Sequence, residues 1–282
     1  MNAGRAWRSL RAAAWLGWQI ESNWTDPFLF TVYSVAKPVA AAAILVVMYA
    51  VATRGDFSSP TFAYIYLGSA LYVYVGAVMT GVAFAVIDDR ERYRMLRYVY
   101  VAPIDFRLYL IGRAVGRFAA ATASVLITLA AGIVFFHLDI HPGAIDWPVL
   151  VLAMAIGMPM LALLGLGLGG VVMQFAQQSW SVGDAVAGTL FLISGAVFPL
   201  DILPAPLRAC GFVLPITYWL ELVRRALVGR TGFQTFATVG SGKLLVIFSG
   251  LTCLLAVAVV ASFRWCEQRA RERGLLDRTT NY

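Results

Sequence analysis

Apolar segments separated by short polar connections dominate the pattern of this chain. A helix needs about 20 apolar residues to cross a hydrocarbon layer roughly 30 Å thick. We predict transmembrane helices over the approximate ranges 28–52, 61–87, 114–136, 149–173, 185–198 and 244–263. The fifth of these segments reaches the required length only if residues 181–184 are included. The expected fold is therefore an all-α integral membrane protein with six spans, in a single domain over residues 1–282.

The first 25 residues predict a helix that lies in the membrane interface. Three arginines belong to a segment whose helix would align Trp7, Leu10, Ala14 and Trp18 in one stripe. A basic face combined with a Trp-rich apolar face is typical of helices at the headgroup level.

One long charged passage is enclosed between apolar segments. It runs from Asp88 to Arg117 and holds seven of the twenty Arg residues. A helix here would have two faces, a basic one with Arg90, Arg94 and Arg97 and an apolar one with Met95, Val99 and Ala102. Pro103 would end this helix, because proline disfavours helical backbone at the residue before it. The pattern predicts an amphipathic helix displayed at the membrane surface, within a loop over residues 88–113.

A proline-rich passage lies between the fifth and sixth spans, at residues 199–243. Four prolines forbid one continuous helix here: Pro199, Pro204, Pro206 and Pro215. Short helices that return partway into the membrane fit better, because irregular backbone at that depth must be shielded by protein or face water.

Composition and charge agree with a membrane location. The chain of 282 residues is 60% hydrophobic and 13% charged, with a mean hydropathy of +0.76. Fifteen of its 22 Lys and Arg residues fall in the N-terminal segment, in the loop at 88–117 and in the tail at 264–282. By the positive-inside rule these parts are cytoplasmic, and so are both termini. The net charge of +7 thus orients the protein and does not indicate a nucleic-acid partner.

Three further features are candidates for packing, transport or metal chemistry. Gly165 and Gly169 form a GxxxG pattern, which permits close helix packing within the chain or in a dimer. Lys37 interrupts the first span, and its long side chain is expected to reach the headgroups, although a polar contact in a pathway is the alternative. The loop at 137–141 alternates His137, Asp139 and His141, which leaves a metal-dependent membrane enzyme as a minor alternative.

The order of these elements resembles the permease subunit of ABC-2 type ATP-binding cassette exporters. The proline-rich segment carries the most specific resemblance, in Phe198, Pro199, Leu200, Pro204, Pro215, Tyr218 and Arg224. The charged loop carries the second, in Glu91, Leu96, Ala102, Pro103 and Arg113. Relatives often have Gly-Thr-Leu-Glu in the loop helix, where this chain has Arg94, Met95, Leu96 and Arg97.

The resemblance implies a transport function that depends on other chains. The loop helix would be the coupling helix, which contacts a cytosolic ATPase through Arg90, Glu91, Arg94, Met95, Leu96, Arg97, Val99, Ala102 and Pro103. The sequence contains no GxxxxGK[ST] motif for gripping ATP. ATP and Mg would therefore bind to the ATPase partner, and no cofactor or metal is expected in this chain. The other expected partners are a second permease copy or paralogue and membrane lipids.

These expectations place the protein in a bacterial cytoplasmic membrane, where it would export an amphipathic, lipid-linked, polysaccharide or drug-like substrate. An ATP-independent secondary transporter or channel is the alternative. Such proteins usually place carboxylates or paired charges at mid-membrane.

Overall fold

A computed structural model describes residues 3–22, 27–54, 60–93, 95–102, 105–138, 140–174, 179–229 and 234–274. These residues are helical nearly throughout, and none of them lies in a β-strand. The α-helices are α1 (Ala3–Ser22), α2 (Pro27–Thr53), α3 (Pro60–Tyr74), α4 (Gly81–Ile87), α5 (Leu96–Val101), α6 (Phe106–Phe136), α7 (Trp147–Val172), α8 (Ser179–Ile193), α9 (Ala205–Val213), α10 (Pro215–Val228), α11 (Gln234–Ala237) and α12 (Ser241–Glu272).

One helical path occupies the centre of the bundle. A π-helical segment, Val75–Thr80, joins α3 to α4 without a break, and we call the path Pro60–Arg90 the central helix. In its most apolar window 67% of the residues are buried, against 22% to 39% in the other three long apolar helices. The central helix is therefore surrounded by protein, and the other three face the membrane over more of their surface.

The remaining helices pack around the central helix in two groups. On one side α6 contacts the central helix and also supports α1 and α2. On the other side α7 contacts the central helix, α10 and α12. α8 contacts α4, α7 and the π segment Val75–Thr80. Most of the buried apolar side chains of these helices form one large core, and a smaller cluster with Ala42, Val46 and Phe62 joins α2 to the start of the central helix.

Four described helices are long and apolar enough to cross a membrane: Pro60–Arg90, Phe106–Phe136, Trp147–Val172 and Ser241–Glu272. The all-α membrane fold predicted from the sequence is consistent with this. α2 and α8 contain shorter apolar stretches, Ala42–Val51 and Ser181–Ile193. The count of six spans therefore remains a prediction for these two helices.

Some helix ends differ from the sequence expectation. α6 begins at Phe106 rather than near residue 114, because Asp105 caps its first turn. α8 begins at Ser179 and ends at Ile193, so it includes residues 181–184 but stops short of Phe198. α12 continues nine residues past Phe263, to Glu272, and carries Arg264, Arg269 and Arg271 of the tail on a helix.

The described part of the proline-rich region contains the short helices α9, α10 and α11, and prolines stand at the start of the first two. Pro204 precedes α9, and Pro215 is the first residue of α10. Proline fits this position because the first helical N–H needs no partner within the helix. α10 is buried along almost its whole length and ends at Gly229, whose φ of +65° suits the left-handed turn that terminates a helix.

Candidate functional site

The structure divides the charged loop into three parts. Asp88–Arg92 continues the central helix as a π-helical turn, α5 (Leu96–Val101) is a separate short helix, and Asp105 begins the next long helix. The expectation of one amphipathic helix from Arg90 to Pro103 was wrong, because the π turn ends before α5 begins. The following parts of the expected contact surface lie outside the described residues: Arg94, Pro103 and the side chains of Glu91, Leu96 and Arg97.

The side chains described in this loop do not form the two expected faces. Arg90 was placed on the exposed basic face but is only 5% exposed. Val99 was placed on the free apolar face but is 8% exposed and belongs to the protein's own core, against which Met95 also packs. Tyr98 and Val101 are instead 71% and 86% exposed. Among the side chains of α5 that the structure describes, these two form an accessible apolar edge.

Asp89 connects the three parts of the loop. Its carbonyl oxygen accepts a hydrogen bond from the N–H of Met95, the N-cap residue of α5, at 2.9 Å. Its carboxylate accepts hydrogen bonds from Tyr109 Oη at 2.9 Å and from Arg113 Nη1 at 2.5 Å. Asp89 and Arg113 are 0% and 1% exposed. One buried residue thus ties the end of the central helix, α5 and α6 together.

Asp105 fixes the start of α6 beside this junction. Its Oδ1 accepts a hydrogen bond from the backbone N–H of Arg107 at 2.9 Å, and its Oδ2 accepts one from Arg107 Nη2 at 2.8 Å. Partial burial raises the pKa of Asp105, but hydrogen bonds from Arg107 and its positive charge outweigh burial and hold the pKa below its ordinary value. Asp105 is therefore ionised at neutral pH, as suits a helix N-terminus.

α1 packs closely along α6 through small residues. A side chain at Gly112 would clash with Ala13, and one at Gly116 would come within 2.6 Å of the backbone nitrogen of Trp18. Gly17 faces the backbone of Arg113 in the same way. The two helix backbones can approach this closely only because these positions have no side chain or a methyl group. α1 is thereby held beside the residue that pairs with Asp89.

The outward-facing side of α1 is rich in tryptophan. Trp7, Trp15 and Trp18 are 65%, 64% and 39% exposed, and Arg8 and Arg11 are exposed beside them. Tryptophan and arginine together favour the headgroup region of a membrane, where the ring is half-solvated and the guanidinium meets phosphate.

Arg224 organises the proline-rich region on the opposite side of the molecule. Its guanidinium stacks over the ring of Tyr64 at 3.7 Å from the centroid. Its Nη2 donates hydrogen bonds to the carbonyl oxygens of Gly195 at 3.0 Å and Ala196 at 2.6 Å. Tyr64 Oη donates to the same Gly195 oxygen at 2.7 Å. These bonds satisfy carbonyls in the buried, non-helical backbone that follows α8.

Close approach of this backbone depends on Gly68 of the central helix. A Cβ at this position would lie 1.7 Å from the carbonyl oxygen of Ala196 and 2.0 Å from Arg224 Nη2. The segment after α8 is therefore seated directly on the central helix, with Arg224 between them.

The neighbouring Arg225 joins α10 to α11. Its Nε donates to Glu221 at 2.9 Å, and its two terminal nitrogens each donate to a backbone carbonyl, of Val239 and of Phe236, at 2.5 Å. Tyr218 Oη donates to the carbonyl of Phe212 at 2.9 Å, which links α10 to α9. The other residues noted from the sequence are Pro199, which is buried, Pro204, which is exposed, and Phe198, which is 49% exposed.

The GxxxG pair on α7 packs within the chain. A Cβ at Gly165 would lie 2.7 Å from the carbonyl oxygen of Met79, and one at Gly169 would lie 3.3 Å from a methyl group of Val86. Of the two roles left open by the sequence, packing against the central helix is the one observed.

A cavity of about 340 Å³ opens between α2, the central helix and α8. On the central helix Tyr72 donates a hydrogen bond to the carbonyl of Ala187 at 2.5 Å, and its ring meets Phe191 edge to face at 4.7 Å. The lining residues are Ala42, Leu45, Ser69, Tyr72, Val73, Ala187, Gly188 and Phe191. The cavity, which we call the α8 groove, is almost wholly apolar and falls within the size range of small-molecule sites.

Sequence reasoning missed the residues that hold these regions together. Asp89 and Tyr109 were not singled out, although a carboxylate next to the end of an apolar span is a signal for a buried partner. A tyrosine near the start of a span, such as Tyr64, is typical of an aromatic belt at the membrane interface, yet its hydroxyl bonds the same Gly195 carbonyl as Arg224 and its ring stacks on Arg224. The loop residues His137 and His141 remain candidates only in sequence, since Asp139 lies outside the described residues.

Two comparisons bear on identity. The family model described as ABC-2 type transporter matches residues 10–228, which is well over half of the chain. No curated protein matches the chain significantly. The matched range includes the charged loop, the central helix, the α8 groove and Arg224.

Proposed function

The chain belongs to the ABC-2 type transporter family, and on that basis we propose that it is the permease subunit of an ATP-driven exporter. Membership supports a role in transport across a membrane rather than catalysis. Three parts are proposal: the energy comes from a separate cassette ATPase, the direction is outward, and the cargo is amphipathic, lipid-linked, polysaccharide or drug-like. This sequence contains no phosphate-gripping GxxxxGK[ST] motif, which favours ATP hydrolysis by a partner ATPase.

The observation that carries this proposal is the exposed apolar edge of α5. Tyr98 and Val101 project from a short helix between two long spans, in a loop whose positive charge assigns it to the cytoplasm. Helices of this kind dock into grooves of partner proteins through a few apolar anchors. Burial of each such side chain contributes about 1.5–3 kcal/mol. We therefore place the ATPase contact at Tyr98 and Val101.

Asp89 supplies a route from that contact to the transmembrane region. A movement of α5 would displace Asp89 through the hydrogen bond to its carbonyl oxygen. The Asp89 carboxylate would then displace Arg113 on α6 through their ion pair. Buried ion pairs have strict geometry, because neither charge tolerates separation from the other in a dry environment. In this mechanism the central helix and α6 move together when the ATPase changes state.

A second copy of this chain, or a paralogue, would complete the transport pathway. The α8 groove opens beside an exposed stripe of α8 that includes the polar residues Asp184 and Thr189. Polar side chains of this kind are costly against hydrocarbon, so this stripe is suited to a protein or water interface. The tryptophan-bearing face of α1 is assigned to lipid headgroups.

The ATPase contact is tested by binding of the cassette ATPase that co-purifies with the chain from native membranes. The full-length chain in lipid nanodiscs is compared with the double variant Tyr98→Asp, Val101→Asp. We expect the affinity to fall at least tenfold, because two apolar anchors are lost and two charges must be desolvated.

The matched control is Phe198→Asp with Ile202→Asp, which makes the same chemical change at exposed apolar positions of the proline-rich region. The control should bind the ATPase like the unmodified chain. Equal binding by both double variants would remove α5 from the contact.

A further inference from the structure

Asp184 is an exposed carboxylate on a mostly apolar helix. It belongs to α8, whose stretch Ser181–Ile193 is apolar in composition. Among the residues that the structure describes, its carboxylate makes no hydrogen bond and no ion pair. An ionisable side chain at such a position is expensive in lipid and generally marks a pathway or binding site.

The packing of α8 shows that Asp184 lies alongside the span of the central helix. α8 contacts α4 and the π segment Val75–Thr80, both of which are inside the Pro60–Arg90 span. The preceding residue, Gly183, faces Phe84, since a Cβ there would lie 2.8 Å from its ring. Phe84 is six residues from the end of that span, which corresponds to about 9 Å along a helix. Asp184 is therefore not simply a terminal residue in the cytosol.

Helix geometry places Asp184 at the mouth of the α8 groove. Residues three, four and seven positions further along a helix lie on the same face. For Asp184 these are Ala187, Gly188 and Phe191, all of which line the groove. Among the side chains that the structure describes, no charged group lines the groove, and Asp184 brings a negative charge to its entrance.

The chemistry of the groove selects one type of occupant. The aromatic rings of Tyr72 and Phe191 offer negative π faces, which attract a cation that has little bound water. The carboxylate at the mouth supplies the complementary charge, and the apolar walls accept a hydrophobic body. An anion would be repelled, and a small hydrated cation would lose its water against apolar walls without replacement.

We propose that the α8 groove binds a hydrophobic cation, such as an amphiphile that carries an ammonium or phosphonium group, with Asp184 as its counter-ion. This rests on the proposed function, because it names the substrate class for that transport pathway. It narrows the cargo from amphipathic molecules in general to those with a delocalised or alkylated positive charge.

The test is binding of tetraphenylphosphonium to the full-length chain in phosphatidylcholine nanodiscs, measured by equilibrium dialysis against empty nanodiscs. Tetraphenylborate, which has the same shape and the opposite charge, is measured in parallel. We expect specific binding of the cation only. Asp184→Asn should weaken it at least tenfold, whereas Asp184→Glu should restore most of the affinity because it keeps the charge.

A second pair of variants tests the groove independently of the charge. Gly188→Leu places a side chain in the groove at a position where a Cβ meets no neighbour, so it should block binding without straining the fold. Gly250→Leu on α12 makes the same change at an exposed position that also has no neighbour, and it should leave binding unchanged.

Three results would overturn the proposal: no cation binding above empty nanodiscs, equal binding by Asp184→Asn and the unmodified chain, or loss of a dimer in Asp184→Asn. The last would assign the carboxylate to a contact between copies. Because no ATPase is present in this assay, failure here would leave the proposed ATP-driven function standing, and that function is tested separately.

Discussion

Asp89 and Arg113 bury opposite charges at the junction of three helices. A buried pair adds little compared with apolar residues of the same size, but removal of one partner strands the other charge in a dry environment. The Tyr109 hydroxyl, which donates to Asp89 and accepts a hydrogen bond from Arg113, completes the cluster. The pair therefore specifies the position of α5 more than it contributes to stability.

A double-mutant cycle measures this pair. Asp89→Ala and Arg113→Leu should each lower the free energy of unfolding by about 3–5 kcal/mol. The double variant should lose clearly less free energy of unfolding than the sum of the two single variants, because neither charge is then buried without its partner. The measurement is tryptophan fluorescence of the chain in mixed micelles as the fraction of denaturing detergent rises.

The control is the exposed pair between Arg271 and Glu267 on α12, where Glu267→Ala should cost less than about 1 kcal/mol. If Asp89→Ala lowers the free energy of unfolding no more than this control does, the buried pair does not hold the central helix, α5 and α6 together.

These pairings could not be read from the sequence. The charges of the loop were visible, but Asp89 and Arg113 stand 24 positions apart, and their meeting depends on the packing of α6 against the central helix. Arg224 was noted through the family resemblance, yet its contacts with Tyr64 and the Gly195 carbonyl cross between distant helices. Periodicity assigns a residue to a face of its own helix and does not identify the facing helix.

At the scale of elements, the contact between α1 and α6 depends on four small residues. Gly112 and Gly116 form a GxxxG pattern that is as visible in the sequence as the pair Gly165 and Gly169 on α7. Its partner was not predictable, because α1 was expected only to lie in the membrane interface and no facing helix was assigned to it. The structure gives α1 two faces, one against α6 and one with exposed tryptophans.

Gly116→Leu should dislodge α1, because its side chain would occupy the position of the Trp18 backbone. We expect the unfolding midpoint to fall and limited proteolysis to cut between α1 and α2 at least tenfold faster. Gly250→Leu, which meets no neighbour, is the matched control and should behave like the unmodified chain. An unchanged rate of proteolysis in Gly116→Leu would show that the position of α1 does not depend on its close packing against α6.

α5 is the element where the sequence prediction failed most clearly. A wheel drawn from Arg90 to Pro103 assumed one unbroken helix, but the segment Asp88–Arg92 belongs to the central helix. Once α5 is only six residues long, Val99 turns into the protein core and Tyr98 turns outward. Short helices are positioned by their tertiary contacts rather than by amphipathic periodicity.

At the scale of the whole molecule, the long apolar helices were predictable and their arrangement was not. The spans stand out because they exceed the length needed to cross hydrocarbon. Their mean hydropathies all lie between 2.1 and 2.7, and the central helix has the lowest value, so apolarity alone does not reveal which helix is surrounded. Its position follows from close packing, as at Gly68 and Gly165, where neighbouring backbone leaves no room for a side chain.

In the proposed mechanism, the central helix connects α5 with the α8 groove and the proline-rich region. The central helix begins beside Arg224 in the proline-rich region and ends at Asp89 beside α5, with the α8 groove along its length. In the proposed mechanism, a movement of α5 moves the central helix, which borders both the α8 groove and the proline-rich region. An ATP-independent transporter would have no need of an exposed apolar edge on α5.

The most direct test of this account is ATP hydrolysis by the chain and its cassette ATPase reconstituted together in proteoliposomes. The unmodified chain is compared with one from which residues 95–102 are deleted, and with the ATPase alone. We predict that the unmodified chain stimulates hydrolysis at least tenfold over the ATPase alone, and that the deletion abolishes this stimulation. Equal stimulation by the deleted chain, or transport under an ion gradient with no ATPase present, would contradict it.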